Sequence, residues 1–152
     1  MNELVYHFFD DDDFLRISAK ISEIELITSG EIRVSIKEKK SFSERNQDLR
    51  DLAEKEFYKL NMHQTRDKIG ILLFFLLNER KFYILADEGI NEKVAFDVWE
   101  SVSEEIQENF KNGYFSKGII TGVKNVGKLL GEHFPIKPDD VNELTNKVVI
   151  PK

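Results

Sequence analysis

The sequence predicts an α/β protein, a three-layer α/β/α sandwich around a small mixed sheet. Three observations predict it. Apolar residues recur at three- and four-residue spacing in four segments, they alternate at a period of two in one segment, and the run Ile69 to Leu77 is apolar almost throughout. The resulting order is helix, strand, helix, strand, strand, helix, helix. A helix between the first two strands makes their pairing a parallel crossover.

The first helix follows the acidic run Asp10 to Asp13. Phe14, Ile17, Ile21 and Ile24 form its apolar stripe, and carboxylates at its start suit the helix dipole. Thr28, Ser29 and Gly30 are expected to end it. Ile32, Val34 and Ile36 then alternate with Arg33, Ser35 and Lys37, which predicts an outer strand with one face wetter than the other. Ser41 and Glu44 have the spacing of a capping box, and Leu49, Leu52, Ala53, Phe57 and Leu60 carry a helical stripe to about Met62. After a polar loop from His63 to Lys68, the unalternating run reads as a central strand buried on both faces. Asn78-Glu79-Arg80 turns it into a hairpin with Lys81 to Ala86.

Two further helices cover the sheet. The first runs from Asn91 to about Phe110, with Val94, Val98, Val102 and Ile106 on one face and Gly113 as its stop. The second runs from Ser116 to about His133, with Ile119, Ile120, Val123, Val126 and Leu130. Gly118, Gly122 and Gly127 fall inside it, where close helix packing accounts for them better than a nucleotide fingerprint does. Trp99 and the phenylalanines read as core, with Tyr114-Phe115 at a helix junction as a candidate exposed patch. Pro135 ends the last helix, and the tail beyond Ile136 is expected to wrap the surface and add Val148-Val149-Ile150 to a sheet edge.

The composition bounds the function. With 152 residues, 28 Asp plus Glu against 22 Lys plus Arg and 41% hydrophobic residues, one soluble, acidic domain is expected over residues 1–146, with a tail at 147–152. A chain of this length buries roughly 68–70% of its unfolded surface and needs no disulfide or structural metal to hold a core. The absence of cysteine excludes thiol nucleophiles, thiolate zinc sites and redox switches. The net charge is -6, and the one basic cluster, Lys37, Lys39 and Lys40, is interrupted by Glu38. Nucleic acid is therefore not expected as a partner. The nine residues of the apolar run are about half of what a spanning helix requires, and the N-terminus has no basic signal region. No membrane span is expected, and the localisation expected is cytoplasmic.

The topology gathers acidic residues at one end of the sheet. The third strand ends at Asp87, beside the start of the second strand at Thr65-Arg66-Asp67 and the start of the first at Glu31. Asp67, Asp87, Glu88 and Glu31 are hard oxygen donors of the kind that Ca²⁺ and Mg²⁺ take, and Asp97 lies two turns into the following helix. The alternative is that Asp87 and Glu88 cap a helix and Arg66 pairs with either. The Asp10 to Asp13 run reads as helix-dipole chemistry, and Asp139, Asp140, Asn142 and Glu143 as a solvated turn or helix start. Of the histidines His7, His63 and His133, only His63 is near the acidic end in sequence. Serine-elbow, phosphate-loop and H-E-x-x-H motifs do not occur.

Several ordered segments carry a family pattern. They are Thr28-Ser29-Gly30-Glu31-Ile32-Arg33-Val34, Thr65-Arg66-Asp67-Lys68-Ile69-Gly70-Ile71-Leu72-Leu73, Glu79-Arg80-Lys81 leading to Ala86-Asp87-Glu88-Gly89-Ile90, and Trp99. Phe110-Lys111-Asn112-Gly113, His133-Phe134-Pro135 and Asp140-Val141-Asn142-Glu143-Leu144 complete it. Over roughly residues 8 to 146 the chain resembles the TPM domain family in its short, soluble bacterial form. The resemblance implies the α/β/α sandwich and divalent-cation binding at acidic loop positions, which fall here on Asp67, Asp87, Glu88 and Asp97. It also implies an uneven function, from phosphatase-like plant members to receptor-modulating animal ones.

Three functions are then expected. The first is a Ca²⁺- or Mg²⁺-binding domain whose metal orders the loops for a protein partner. The second is a metal-dependent phosphatase acting on phosphate monoesters, with a metal-activated water, Glu31 as base and Arg66 stabilising phosphoryl charge. The third is a metal-free interaction module using a groove near Tyr114 and Phe115.

Overall fold

Gly70–Leu76 (β2) offers solvent no polar face, so it takes the centre of a three-stranded sheet. The computed structural model, which describes residues 3–136 and 148–151, pairs β2 in parallel with Glu31–Lys37 (β1) and antiparallel with Lys81–Ala86 (β3). Glu31 stands opposite Gly70, and Ile71 opposite Ala86. The starts of β1 and β2 and the finish of β3 therefore lie at one end of the sheet.

Among the described residues six α-helices accompany it: Glu3–Phe8 (α1), Asp11–Ile24 (α2), Leu49–Lys59 (α3), Glu88–Asn91 (α4), Phe96–Lys111 (α5) and Phe115–His133 (α6). Ile17 and Ile21 of α2, Ile106 of α5 and Ile119, Val123 and Val126 of α6 pack with Ile32, Val34, Ile71, Leu73 and Phe75 on one sheet face. On the other face a single helix, α3, sets Leu52, Ala53 and Phe57, together with Met62, over Leu72, Phe74 and Leu76. Helix, sheet and helix make three layers.

The acidic run before α2 is a cap. Asp10 accepts from the Asp13 N–H at 2.7 Å and Asp13 accepts from the Asp10 N–H at 2.9 Å, which satisfies two orphan donors reciprocally. The helix ends at Ile24, before the Thr28-Ser29-Gly30 segment expected to stop it. Alternation did not reveal α1, which is only six residues long. The Ser41 and Glu44 pair caps a separate single-turn 3₁₀ helix, Phe42–Glu44, and α3 begins later with its own capping box, Asp48 and Asp51. The helix expected from Asn91 to Phe110 is two helices, α4 and α5, with a non-helical link between them.

β1 is buried along its whole length, where its alternation predicted a wetter face. Its polar residues face α3, and their partners are polar too: the Ser35 hydroxyl donates to Glu56 at 2.6 Å, and Lys37 lies 3.4 Å from Glu44. Its outer edge is covered by the tail. Ile36 N–H donates to Val149 O and Val149 N–H to Val34 O, both at 2.9 Å, so Val149 does extend the sheet edge. Phe115 is also buried, against Phe8 and Phe110, which leaves only Tyr114 of the expected surface patch exposed. The cluster at Asp139 to Glu143 lies outside the described residues. No helix among the described residues is long and apolar enough to cross a membrane.

Candidate functional site at the acidic end of the sheet

Two loops meet where β2 begins and β3 ends. The first turns through Lys68, whose φ of 58° puts it in the left-handed region, and delivers Asp67 to the surface. The second starts at Asp87, the N-cap of α4, whose Oδ1 accepts from the Glu88 N–H at 2.8 Å. Main-chain bonds clasp them: Asp87 N–H donates to Gly70 O and Gly89 N–H to Lys68 O, each at 2.9 Å. Only glycine fits at position 89, because a Cβ there would lie 2.5 Å from the carbonyl oxygens of both Asp67 and Lys68.

The carboxylates differ in their surroundings. Asp87 Oδ2 is buried without a hydrogen-bond partner among the described residues, although Oδ1 is used by the cap. Asp67 is exposed, with its Oδ2 3.7 Å from Arg66 Nε. Glu88 is exposed on the first turn of α4, and Asp97 is exposed on the first turn of α5, beyond the non-helical link. Glu31 is 4% exposed and lies beside Glu25. The sheet thus brings the Asp67 and Asp87 loops together, while Glu31 lies beneath them. Among the described residues no three His, Asp or Glu side chains are close enough to make a ready-made metal cluster.

Beside the clasped loops is an open cleft of about 420 Å³, lined by Ser29, Asp67, Gly89, Glu92, Lys93 and His133 among others. Sequence proximity pointed to His63 as the nearest histidine. His63 instead stacks on Tyr58 with ring centroids 4.7 Å apart. His133 reaches the cleft because the chain after α6 docks back on the approach to β1. Ser29 N–H donates to Phe134 O at 3.0 Å, the Thr28 hydroxyl donates to the same oxygen at 2.5 Å, and Thr28 bridges Pro135. Thr28 and Phe134 are 106 positions apart, so no local spacing could have signalled this contact.

A second polar group is buried at the start of β1. Burial and the neighbouring Glu31 carboxyl push the Glu25 carboxyl up to about 9. The Arg33 guanidinium, 3% exposed, sits among Glu25, Glu31 and Glu56. Its desolvation lowers its pKa, and those three acids oppose that shift.

This helix order, sheet topology and pair of clasped loops can be set beside known proteins. The profile of the TPM domain matches residues 6–129. The chain belongs to the TPM domain family. Among solved structures, this TPM domain is similar to the BA42 protein of the psychrophilic bacterium Bizionia argentinensis, with 33% identity, a TM-score of 0.86, and 95% of this chain and 96% of that one covered. It shares its fold with an N-terminal domain from P. gingivalis, at 15% identity and a TM-score of 0.68, covering 84% of this chain and 79% of that one. The same holds for an N-terminal domain from Corynebacterium glutamicum, at 12% identity and a TM-score of 0.60, covering 80% and 74%. No curated protein matches the TPM domain described here.

Proposed function

We propose that this TPM domain is a divalent-cation-responsive binding module, with Ca²⁺ or Mg²⁺ held at the acidic end of the sheet by Asp87 and Asp67, with water completing the shell. The observation that carries this reading is Asp87 Oδ2, a buried carboxylate oxygen with no donor among the described residues, in a loop clasped to the loop of Asp67. Burying such an oxygen unpaired is costly, and a cation removes the cost. With few protein carboxylates at hand, the site suits Mg²⁺, which keeps several waters and takes one or two carboxylates, better than Ca²⁺, which takes six to eight oxygens. Asp97 lies across the link from α4, on the first turn of α5. The bound ion would stiffen both loops for a protein partner.

The hydrolase alternative asks Glu31 to act as base and Arg66 to meet a phosphoryl group. Burial of Glu31 beside Glu25 and the pairing of Arg66 with Asp67 weigh against it. The test is a Mg²⁺ and Ca²⁺ titration of metal-free protein, followed by amide shifts, on wild type and on Asp87→Asn. Asparagine keeps the helix cap, so the fold should survive. Shifts centred on Asp67, Asp87 and Gly89, with affinity down tenfold or more in the variant, support the reading. Equal affinity in the two proteins, or no shift at millimolar cation, overturns it. Hydrolysis of a generic phosphate monoester that needs Mg²⁺ and is lost in Asp87→Asn would favour the hydrolase.

A further inference from the structure

We propose that the free edge of β3 is a docking strip for an extended, basic segment of a partner protein, which adds to the sheet as a fourth strand. This is independent of the cation site. The two lateral edges of the sheet are treated differently by the fold. The β1 edge is capped by Val149 and by Glu25, which accepts from the Ile32 N–H at 3.3 Å. The β3 edge has no such cover among the described residues, and its six residues are all exposed or half-buried.

The register says which backbone groups are open. Asp87 N–H bonds to Gly70 O, so Leu85, Tyr83 and Lys81 exchange hydrogen bonds with β2, and the alternate residues Phe82, Ile84 and Ala86 turn their main-chain groups outward. Of these, only the Ala86 carbonyl is satisfied, by the Asn91 side chain at 2.9 Å. The N–H and C=O of Phe82 and Ile84 and the N–H of Ala86 have no partner among the described residues. Unpaired groups in this array are a template for another strand.

A groove of about 550 Å³ follows this edge along Phe82 to Ala86, between α3 and α5. Phe96 and Trp99 of α5 give it an apolar wall, and Phe96 is 75% exposed. Large aromatics of this kind are the anchors of strand-addition sites, where main-chain bonds give affinity and alternate side chains enter pockets.

Charge chooses the occupant. The α5 wall presents the exposed carboxylates Glu100 and Glu104, while Arg50 on the opposite wall is already bonded to Glu54 at 2.9 Å. A second copy of the chain would bring a net charge of -6 to a partner of the same charge and set two rows of α5 carboxylates on one face of the joined sheet. A segment with apolar residues at alternate positions and Lys or Arg between or beside them is complementary on both counts.

The experiment is a selection of random 12-residue displayed peptides on the immobilised full chain, followed by amide hydrogen exchange of the protein with the selected peptides. The expected result is net-positive peptides that slow exchange at Phe82 and Ile84 at least tenfold and bind at least tenfold more weakly to the double variant Glu100→Lys, Glu104→Lys. Both glutamates are exposed, so that variant folds. Failure to select any peptide, or selected peptides that leave Phe82 and Ile84 exchanging as before, overturns the proposal. Concentration-dependent dimerisation of the free protein that protects the same two amides would make a second copy the occupant and overturn the basic partner.

Discussion

Glu25, which caps the C-terminus of α2, carries its carboxyl beside that of Glu31, at the start of β1. Two carboxylates cannot share a buried contact while both are charged, so one proton belongs to the native pair. In the unfolded chain Glu25 titrates near 4.5 and in the fold near 9. The stabilisation from that proton is complete below about pH 4.5 and is lost as pH rises through about 9. Urea unfolding across pH 5, 7 and 9 should show stability declining, at less than the one-proton limit of about 1.4 kcal/mol per pH unit. Glu25→Gln, whose amide can donate to Glu31 at any pH, should flatten the decline. Parallel pH profiles for the two proteins would mean that the pair is not protonated.

Glu44 has the opposite sign. Burial alone would raise it, but the Ser41 N–H and hydroxyl, Lys55 at 3.0 Å and Lys37 at 3.4 Å prevail and hold it at about 2. Its contribution is present above about pH 4.5 and disappears as pH falls through about 2. Glu44→Ala removes a buried carboxylate that meets Lys37, Lys55 and the Ser41 N–H and hydroxyl, and should destabilise the fold by about 1.5–3 kcal/mol at pH 7, read from chemical denaturation. In Glu44→Gln the acid sensitivity between pH 4.5 and 2 should diminish.

Gly127 lies where α6 crosses α2. A Cβ at that position would come within 2.4 to 2.6 Å of three side-chain atoms of Ile24. Alanine normally favours a helix over glycine by about 1 kcal/mol, yet overpacking of about 1–3 kcal/mol should win here. Gly127→Ala should therefore lower Tm, and adding Ile24→Ala should relieve part of the loss. Additive losses in that double-mutant cycle would show that the two positions do not clash.

Gly89 joins the two acidic loops. Gly89→Ala should force Asp67 and Lys68 away from α4, costing about 1–3 kcal/mol of stability by the same overpacking argument. It should also weaken Mg²⁺ binding at least as much as Asp87→Asn does. A variant with unchanged affinity would separate the clasp from the cation site.

Much of this protein was legible in its residues. The apolar run around Leu72 and Phe74 could only be a central strand, because no face of it tolerates water. The stripes of α2, α3 and α6 record the faces they bury. Asp67 and Asp87 were predicted to meet because strand order and direction alone bring those loops to one end of the sheet. Membership of the TPM domain family followed from the order of short segments. Tertiary structure decided the rest. Arg33, Ser35 and Lys37 look like a solvent face, and they are buried because carboxyls meet them: Glu25, Glu31 and Glu56 around Arg33, Glu56 at the Ser35 hydroxyl and Glu44 at Lys37. His133 enters the cleft through a contact with Thr28 and Ser29 across more than a hundred positions. Val149 was expected at a sheet edge, but only the folded sheet shows that the edge is that of β1 and that, among the described residues, Phe82 and Ile84 leave the other open. Periodicity reports which way each side chain faces, whereas burial of charge and pairing of backbone depend on partners that local sequence does not contain.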